Sequence, residues 1–191
     1  MKIAIVIPSL DSDYVYLDSC LKAIGKLNPQ PDIVLPYVND GTQGLKKIRT
    51  DLFDWVFEDM DFDLALQCSS DFQLFPDILD HVDENAITTF AFLSRKISLP
   101  LQMLKFRISP NMWTGCYCIP RNAWEIFKRT PWFHNWSGQD FAIAGFAEEM
   151  RFPIKRVRSP KYRLMRPSEK MVEFVRDLPL HKKILKLGAW F

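Results

Sequence analysis

The chain has 191 residues, 48% apolar and 25% charged, the balance of a soluble globular protein and not of a disordered, collagenous or membrane-spanning one. One domain of this length buries about 70% of its extended surface, enough for a core without disulfides or a structural metal. The net charge of +2 conceals a segregation: residues 1–150 carry 13 Lys and Arg against 20 Asp and Glu, whereas residues 151–191 carry 12 against 3. An acidic body with a basic C-terminal segment implies an anionic partner for that segment, or a basic face packed on the body.

Residues 2–7 (KIAIVI) form an almost unbroken apolar run closed by Pro8, the pattern of a strand buried on both faces. Tyr14, Leu17, Leu21, Ile24 and Leu27 recur at helical spacing until Asn28-Pro29 ends the helix. A second strand spans Asp32–Val38, and Pro36 within it predicts an edge or a bulge. A helix over 43–58, a strand over Leu64–Cys68, a short helix opened by Pro76 and a strand over Ala86–Leu93 follow. This alternation predicts βαβ units and a parallel, doubly wound sheet. The second half reads as a strand over Met112–Ile119, helices over Arg121–Lys128 and Gly138–Met150, and a late strand over Phe152–Val157. The fold class expected is therefore α/β, a single domain over 1–167, with 168–191 as a basic amphipathic segment.

Cys20, Cys68, Cys116 and Cys118 show neither zinc-ligand spacing nor an adjacent His pair. Three of them lie in apolar runs, so buried free thiols are expected. The opening MKIAIVIPSL is too short for a secretory h-region, and no stretch approaches the ~20 apolar residues of a membrane span. A cytoplasmic protein is expected.

In an open α/β sheet, ligands bind outside the carboxyl ends of the strands. Three strand ends here carry polar groups: Pro8-Ser9-Leu10-Asp11, Asn39-Asp40-Gly41-Thr42 and Ser69-Ser70-Asp71. Turn chemistry explains any one of these alone; together they suit a nucleotide and its metal. In this order, IVIPSL, VNDGT and SSDFQLFPDIL resemble the GT-A glycosyltransferases, nearest the large inverting family two, over residues 2–150. The resemblance implies a mixed, mostly parallel GT-A sheet flanked by helices, with a nucleotide-binding half followed by an acceptor half. It also implies transfer of a sugar from a nucleotide-diphosphate sugar to an acceptor hydroxyl, with inversion.

Residue by residue, the resemblance puts Asp40, with Pro8 and Ser9, on the nucleotide base, and Arg49 on the helix beside it. The family's metal motif is DxD ahead of a Pro; Pro76 sets the register, so Asp71 matches the second acid and Ser69 stands at the first. A hard cation, Mn²⁺ or Mg²⁺, binds one or two carboxylates plus substrate phosphates. The literal DxD strings Asp59-Met60-Asp61 and Asp61-Phe62-Asp63 precede the third strand and are expected at its opposite end. Trp136-Ser137-Gly138-Gln139-Asp140-Phe141 resembles the family's Glu-Asp motif, making Asp140 the general base for the acceptor hydroxyl, with Gln139 replacing the Glu. Trp113 and Trp136 are expected to stack on the acceptor. Lys161 and Arg163 are expected to meet the leaving diphosphate, whose growing charge needs cations.

The partners expected are a nucleotide-sugar donor and a glycan, protein or lipid-linked acceptor. The interleaved basic and apolar residues of 168–191, ending Trp190-Phe191, also suit contact with a membrane interface. Two rivals are weighed. A nucleotidyltransferase would carry a Gly-rich basic loop after the first strand, which SLDSDY lacks. A non-enzymatic module, binding glycans or using the basic segment on nucleic acid, would show steeply salt-dependent affinity in the latter case.

Overall fold

A computed structural model describes residues 1–10, 14–39, 43–98, 103–109 and 115–164. Its strands are β1 (Ile3–Leu10), β2 (Ile33–Asn39), β3 (Leu64–Gln67), β4 (Phe72–Leu74), β5 (Ile87–Ser98), β6 (Met103–Ser109), β7 (Tyr117–Pro120) and β8 (Ile154–Leu164). The helices are α1 (Tyr14–Ile24), α2 (Leu45–Asp54), α3 (Arg121–Phe127) and α4 (Gln139–Glu149). A wide π turn over Trp55–Asp59 extends α2, and 3₁₀ turns occupy Ile78–His81 and Pro131–Gly138.

The strands form one mixed sheet in the order β2-β1-β3-β7-β5-β8-β4, with β6 paired to β5. β1, β2, β3, β5 and β8 point one way, while β4, β6 and β7 run against them. The fold is therefore the mixed, mostly parallel α/β sheet expected. Pro36 lies in β2, at the end of the strand order, the edge position to which Pro within a sheet is confined.

The alternation of β1 explains the layers. Ile3, Ile5 and Ile7 pack with Leu17, Cys20, Ile24 and Leu27 on the α1 side. Ala4 and Val6 pack with Ile48, Leu52 and Phe53 of α2, Trp124 of α3 and Phe146 of α4 on the other. Successive strand residues face opposite sides, so an unbroken apolar run is what burial on both faces requires.

Several sequence expectations need correction. The doubly wound parallel reading fails past β3, because antiparallel β7 inserts between β3 and β5. β4 and β6 were not foreseen: β4 has three residues and depends on pairing Phe72 with Leu164, far along the chain. β5 runs five residues beyond Leu93, and the late strand continues to Leu164 instead of stopping at Val157. The register of β8 on β5 jumps from Val157 to Pro160 between Phe90 and Ala91 and from Pro160 to Tyr162 between Ala91 and Phe92, irregularities that leave Arg158, Ser159 and Lys161 as the extra residues. The short helix after Pro76 is a 3₁₀ turn. Asp40, Trp113 and the segment 168–191 lie outside the described residues.

Candidate active site

β2, β1 and β3 are adjacent and parallel, so their carboxyl ends open on one edge. Leu10 pairs with Asn39, and Val6 with Gln67; the Cys68 N–H then donates to Val6 O at 3.1 Å, carrying 68–71 alongside the end of β1. This edge therefore gathers Ser9, Asn39, Ser70 and Asp71. Ser9, Asn39 and Ser70 are buried, and Asp71 is half-buried. Burying three polar residues at strand ends costs free energy unless their groups are bonded. Asn39 meets this demand by donating from Nδ2 to Gln43 O at 2.8 Å, which shapes the chain into α2. A turn closed by the Phe72 N–H on Ser69 O at 3.1 Å sets Asp71 directly before β4.

Because Phe72 pairs with Leu164 and Gln73 with Arg163, the end of β8 lies beside Asp71. The register sets Arg163 opposite Gln73, two residues beyond Asp71, so the strand that Asp71 leads into runs against the end of β8. Lys161 is placed differently. It is buried, and its ammonium is ion-paired with Asp77, a hydrogen bond that holds the Asp77 carboxyl below its ordinary range. A cation tied to its own carboxylate is less available to a phosphate. Arg49 is also buried, one turn into α2.

Two sequence features lie together across the start of α2, the helix that follows β2. The 3₁₀ turn Pro131–Gly138 is held against the start of α2: Lys46 donates to His134 O at 3.4 Å, and its ammonium lies 5.1 Å from the Phe133 ring centre. This turn carries Trp136 and leads into α4, whose second residue is Asp140. Acids are favoured in the first turn of a helix, and Asp140 stands there. Gly145 lets α4 close on this turn. A Cβ there would stand 2.4 Å from the Trp132 ring, while Trp132 Nε1 donates to Glu149 at 2.6 Å.

The literal DxD strings lie at the opposite end of β3, as expected. Asp63 accepts the Lys2 backbone N–H at 2.7 Å, and Asp61 pairs with Arg121 at 2.8 Å. The four cysteines are free and buried. A hydrogen bond with Cys20, then burial, pushes the Cys68 thiol well up; burial does the same for Cys116 and Cys118. Such thiols are packing groups and not nucleophiles.

Sequence reasoning missed one polar contact under the site. Gln67 ends β3 fully buried, and Tyr117 opposite it on β7 donates its hydroxyl to Gln67 Oε1 at 3.0 Å. The only signal was a Gln closing an apolar run. Gly115, entering β7 with φ 76°, takes a left-handed turn that favours Gly.

Asp71, with serine hydroxyls beside it, offers the oxygen ligands a hard cation takes. Among the described residues no three His, Cys, Asp or Glu side chains group to hold a metal by themselves. An ion there would need oxygens from its substrate, which a diphosphate has.

No protein-family model matches the sequence, and no curated protein matches it. Solved structures do. A197 from STIV aligns with a TM-score of 0.54 at 15% identity, over 85% of this chain and 84% of that one. S. aureus TarS 1–349 in complex with UDP aligns at 0.56 and 12% identity, over 96% and 68%. A glycosyltransferase involved in glycosylation of the major capsid of PBCV-1 aligns at 0.49 and 11%, over 89% and 95%. The fold is that of the GT-A glycosyltransferases. Among the described residues no helix is long and apolar enough to cross a membrane.

Proposed function

We propose that the protein is a glycosyltransferase that takes a sugar from a nucleotide-diphosphate donor and passes it to an acceptor hydroxyl. The observation that carries this reading is the gathering of Ser9, Asn39, Ser70 and Asp71 at one edge of a GT-A sheet; α4, which starts at Gln139-Asp140, would supply the base. The UDP bound by TarS, which shares the fold, supports the donor class.

In this reading Pro8, Ser9, Asp40 and Arg49 hold the nucleotide. Asp71 holds Mn²⁺ or Mg²⁺, which when bound neutralises diphosphate charge. Arg163, opposite Gln73 on the β4–β8 pair, adds a fixed positive charge whose attraction grows as the leaving oxygen becomes anionic. Asp140 accepts the acceptor hydroxyl's proton as that oxygen attacks the anomeric carbon, and displacement in one step inverts that carbon. Trp113 and Trp136 offer ring faces to the acceptor's C–H surfaces. The acceptor is a glycan, a protein or a lipid-linked sugar.

The test is release of nucleotide from a panel of UDP-, GDP- and CMP-sugars with Mn²⁺ present. One donor should be turned over, and Asp140→Asn should lose about 10²–10⁴-fold in kcat, the usual worth of a positioned base. Equal turnover by Asp140→Asn would overturn the assignment of the base.

A further inference from the structure

Burying a carboxamide costs free energy unless its groups are bonded, and Gln43 does not meet that demand. Its side-chain oxygen Oε1 is shut off from water and has no hydrogen-bond partner among the described residues. Two other buried side-chain oxygens there are in the same condition, those of Thr88 and Thr89. Both stand within β5 at positions paired on each edge, and both residues are fully buried, so no ligand reaches them. Gln43 is only half-buried, and it lies in the short connection between β2 and α2.

That connection puts it at the candidate site. Asn39 ends β2 opposite Leu10 of β1, and its Nδ2 donates to the main-chain oxygen of Gln43 at 2.8 Å. The bond folds the chain back on the end of β2, so Gln43 stands over the edge where Ser9 and Asn39 lie. α2 begins only after it, with the Ile48 N–H donating to Gly44 O at 3.3 Å. A side-chain oxygen just ahead of a helix is ordinarily satisfied by capping the first turn. Oε1 does not cap α2, since nothing described bonds it. In an open α/β sheet the strand-to-helix turn at the carboxyl edge is where ligands bind.

What satisfies the oxygen follows from its chemistry. It accepts and does not donate, so its partner must bring an N–H or an O–H. The diphosphate of a nucleotide sugar carries neither, whereas the nucleoside carries both, on the base and on the ribose. We propose that Gln43 is a specificity-determining residue of the donor site, its carboxamide oxygen accepting a hydrogen bond from the nucleoside half of the nucleotide sugar. This assignment rests on the donor class proposed above and adds which half of the donor the turn after β2 reads. In the free protein the unbonded oxygen carries its desolvation cost; the right nucleotide relieves it, and one without a donor at that point leaves it in place.

Gln43→Met keeps the length of the side chain and removes the acceptor. The experiment is isothermal titration of UDP, GDP, their 2′,3′-dideoxy forms and pyrophosphate, all with Mn²⁺, beside thermal melts of the free proteins. The variant should bind the accepted nucleotide about tenfold more weakly, the worth of one good hydrogen bond. It should bind pyrophosphate as the wild type does, and melt at or above the wild-type temperature, because it loses a buried acceptor that nothing bonds. A residue with a purely structural role would do the reverse, lowering the melt and leaving the affinity alone. Gln43→Ala should weaken nucleotide binding as much. A tenfold gap that vanishes with the dideoxynucleotide assigns the donor to the ribose hydroxyls; one that persists assigns it to the base. Equal nucleotide affinity in the wild type and both variants overturns the inference while the donor class stands. So does a loss shared by pyrophosphate, which would place the oxygen on the metal or the phosphates, or a melt of Gln43→Met several degrees below the wild type. Failure of the wild type to bind either nucleotide overturns the donor class and the inference together.

Discussion

Replacing Gly145 by Ala probes how α4 and its Asp140 are set against the 3₁₀ turn that carries Trp136. In the middle of a helix this change ordinarily stabilises by about 0.5–1 kcal/mol, because Gly loses more backbone entropy on folding. Here the added methyl would meet Trp132, with three ring carbons 2.4–2.6 Å from the ideal Cβ position. The ring is not free to swing away, since its Nε1 is bonded to Glu149 on the same helix. Overpacking of this kind costs about 1–3 kcal/mol; less the helical gain, Gly145→Ala should be destabilised by about 1–2 kcal/mol, a fall in Tm of about 2–8 °C for a chain of this length. Differential scanning calorimetry measures it. In a Trp132→Ala background the steric term vanishes, so adding Gly145→Ala should raise Tm. A wild-type or higher Tm for Gly145→Ala with Trp132 present would refute the close packing of α4 on this turn.

Other outcomes follow from single contacts. Tyr117→Phe removes the hydroxyl that Gln67 accepts in a fully buried position and should cost about 1–2 kcal/mol in urea unfolding; no loss would mean the bond is not made in solution. Asp77 is held below its ordinary value of 3.8 by the hydrogen bond from Lys161, with His81 also 3.5 Å away. A depressed carboxyl adds stability above its unfolded pKa and loses it as pH falls through the folded one. Wild type should therefore melt above Asp77→Asn at neutral pH, with the gap closing on acidification below 3.8; a gap unchanged across that range would contradict the ion pair. All four cysteines are buried and free, so a thiol reagent should label none in the native protein and all four in guanidinium. Fast native labelling of any one would contradict the packing around it.

The sequence was most legible where local pattern suffices. The KIAIVI run, the helical spacing of Leu17 and Ile24, and Pro36 in an edge strand all depend on residues within a few positions of each other. What was not legible depends on pairing at a distance. β4 exists because Phe72 meets Leu164, β6 because Met103–Ser109 folds back on β5, and β7 runs antiparallel between β3 and β5. The same division holds at the site. Ser9, Asn39 and Asp71 were found from strand ends, because parallel neighbours must open on one edge. The pairing of Lys161 with Asp77 and of Tyr117 with Gln67 spans 84 and 50 positions, and no spacing rule reaches that far. The rejection of Asp61 and Asp63 as metal ligands did follow from sequence, since they precede β3; the contacts with Lys2 and Arg121 agree.

The central claim is that the carboxyl edge of β1–β3 binds a nucleotide diphosphate through Asp71 and a divalent cation. Isothermal titration of UDP and GDP into the wild type and Asp71→Ala, with Mn²⁺ and with EDTA, tests it most directly. The account predicts binding of one nucleotide that requires Mn²⁺ and is lost in Asp71→Ala. Binding of neither nucleotide to the wild type, or equal Mn²⁺-dependent binding by Asp71→Ala, would contradict it.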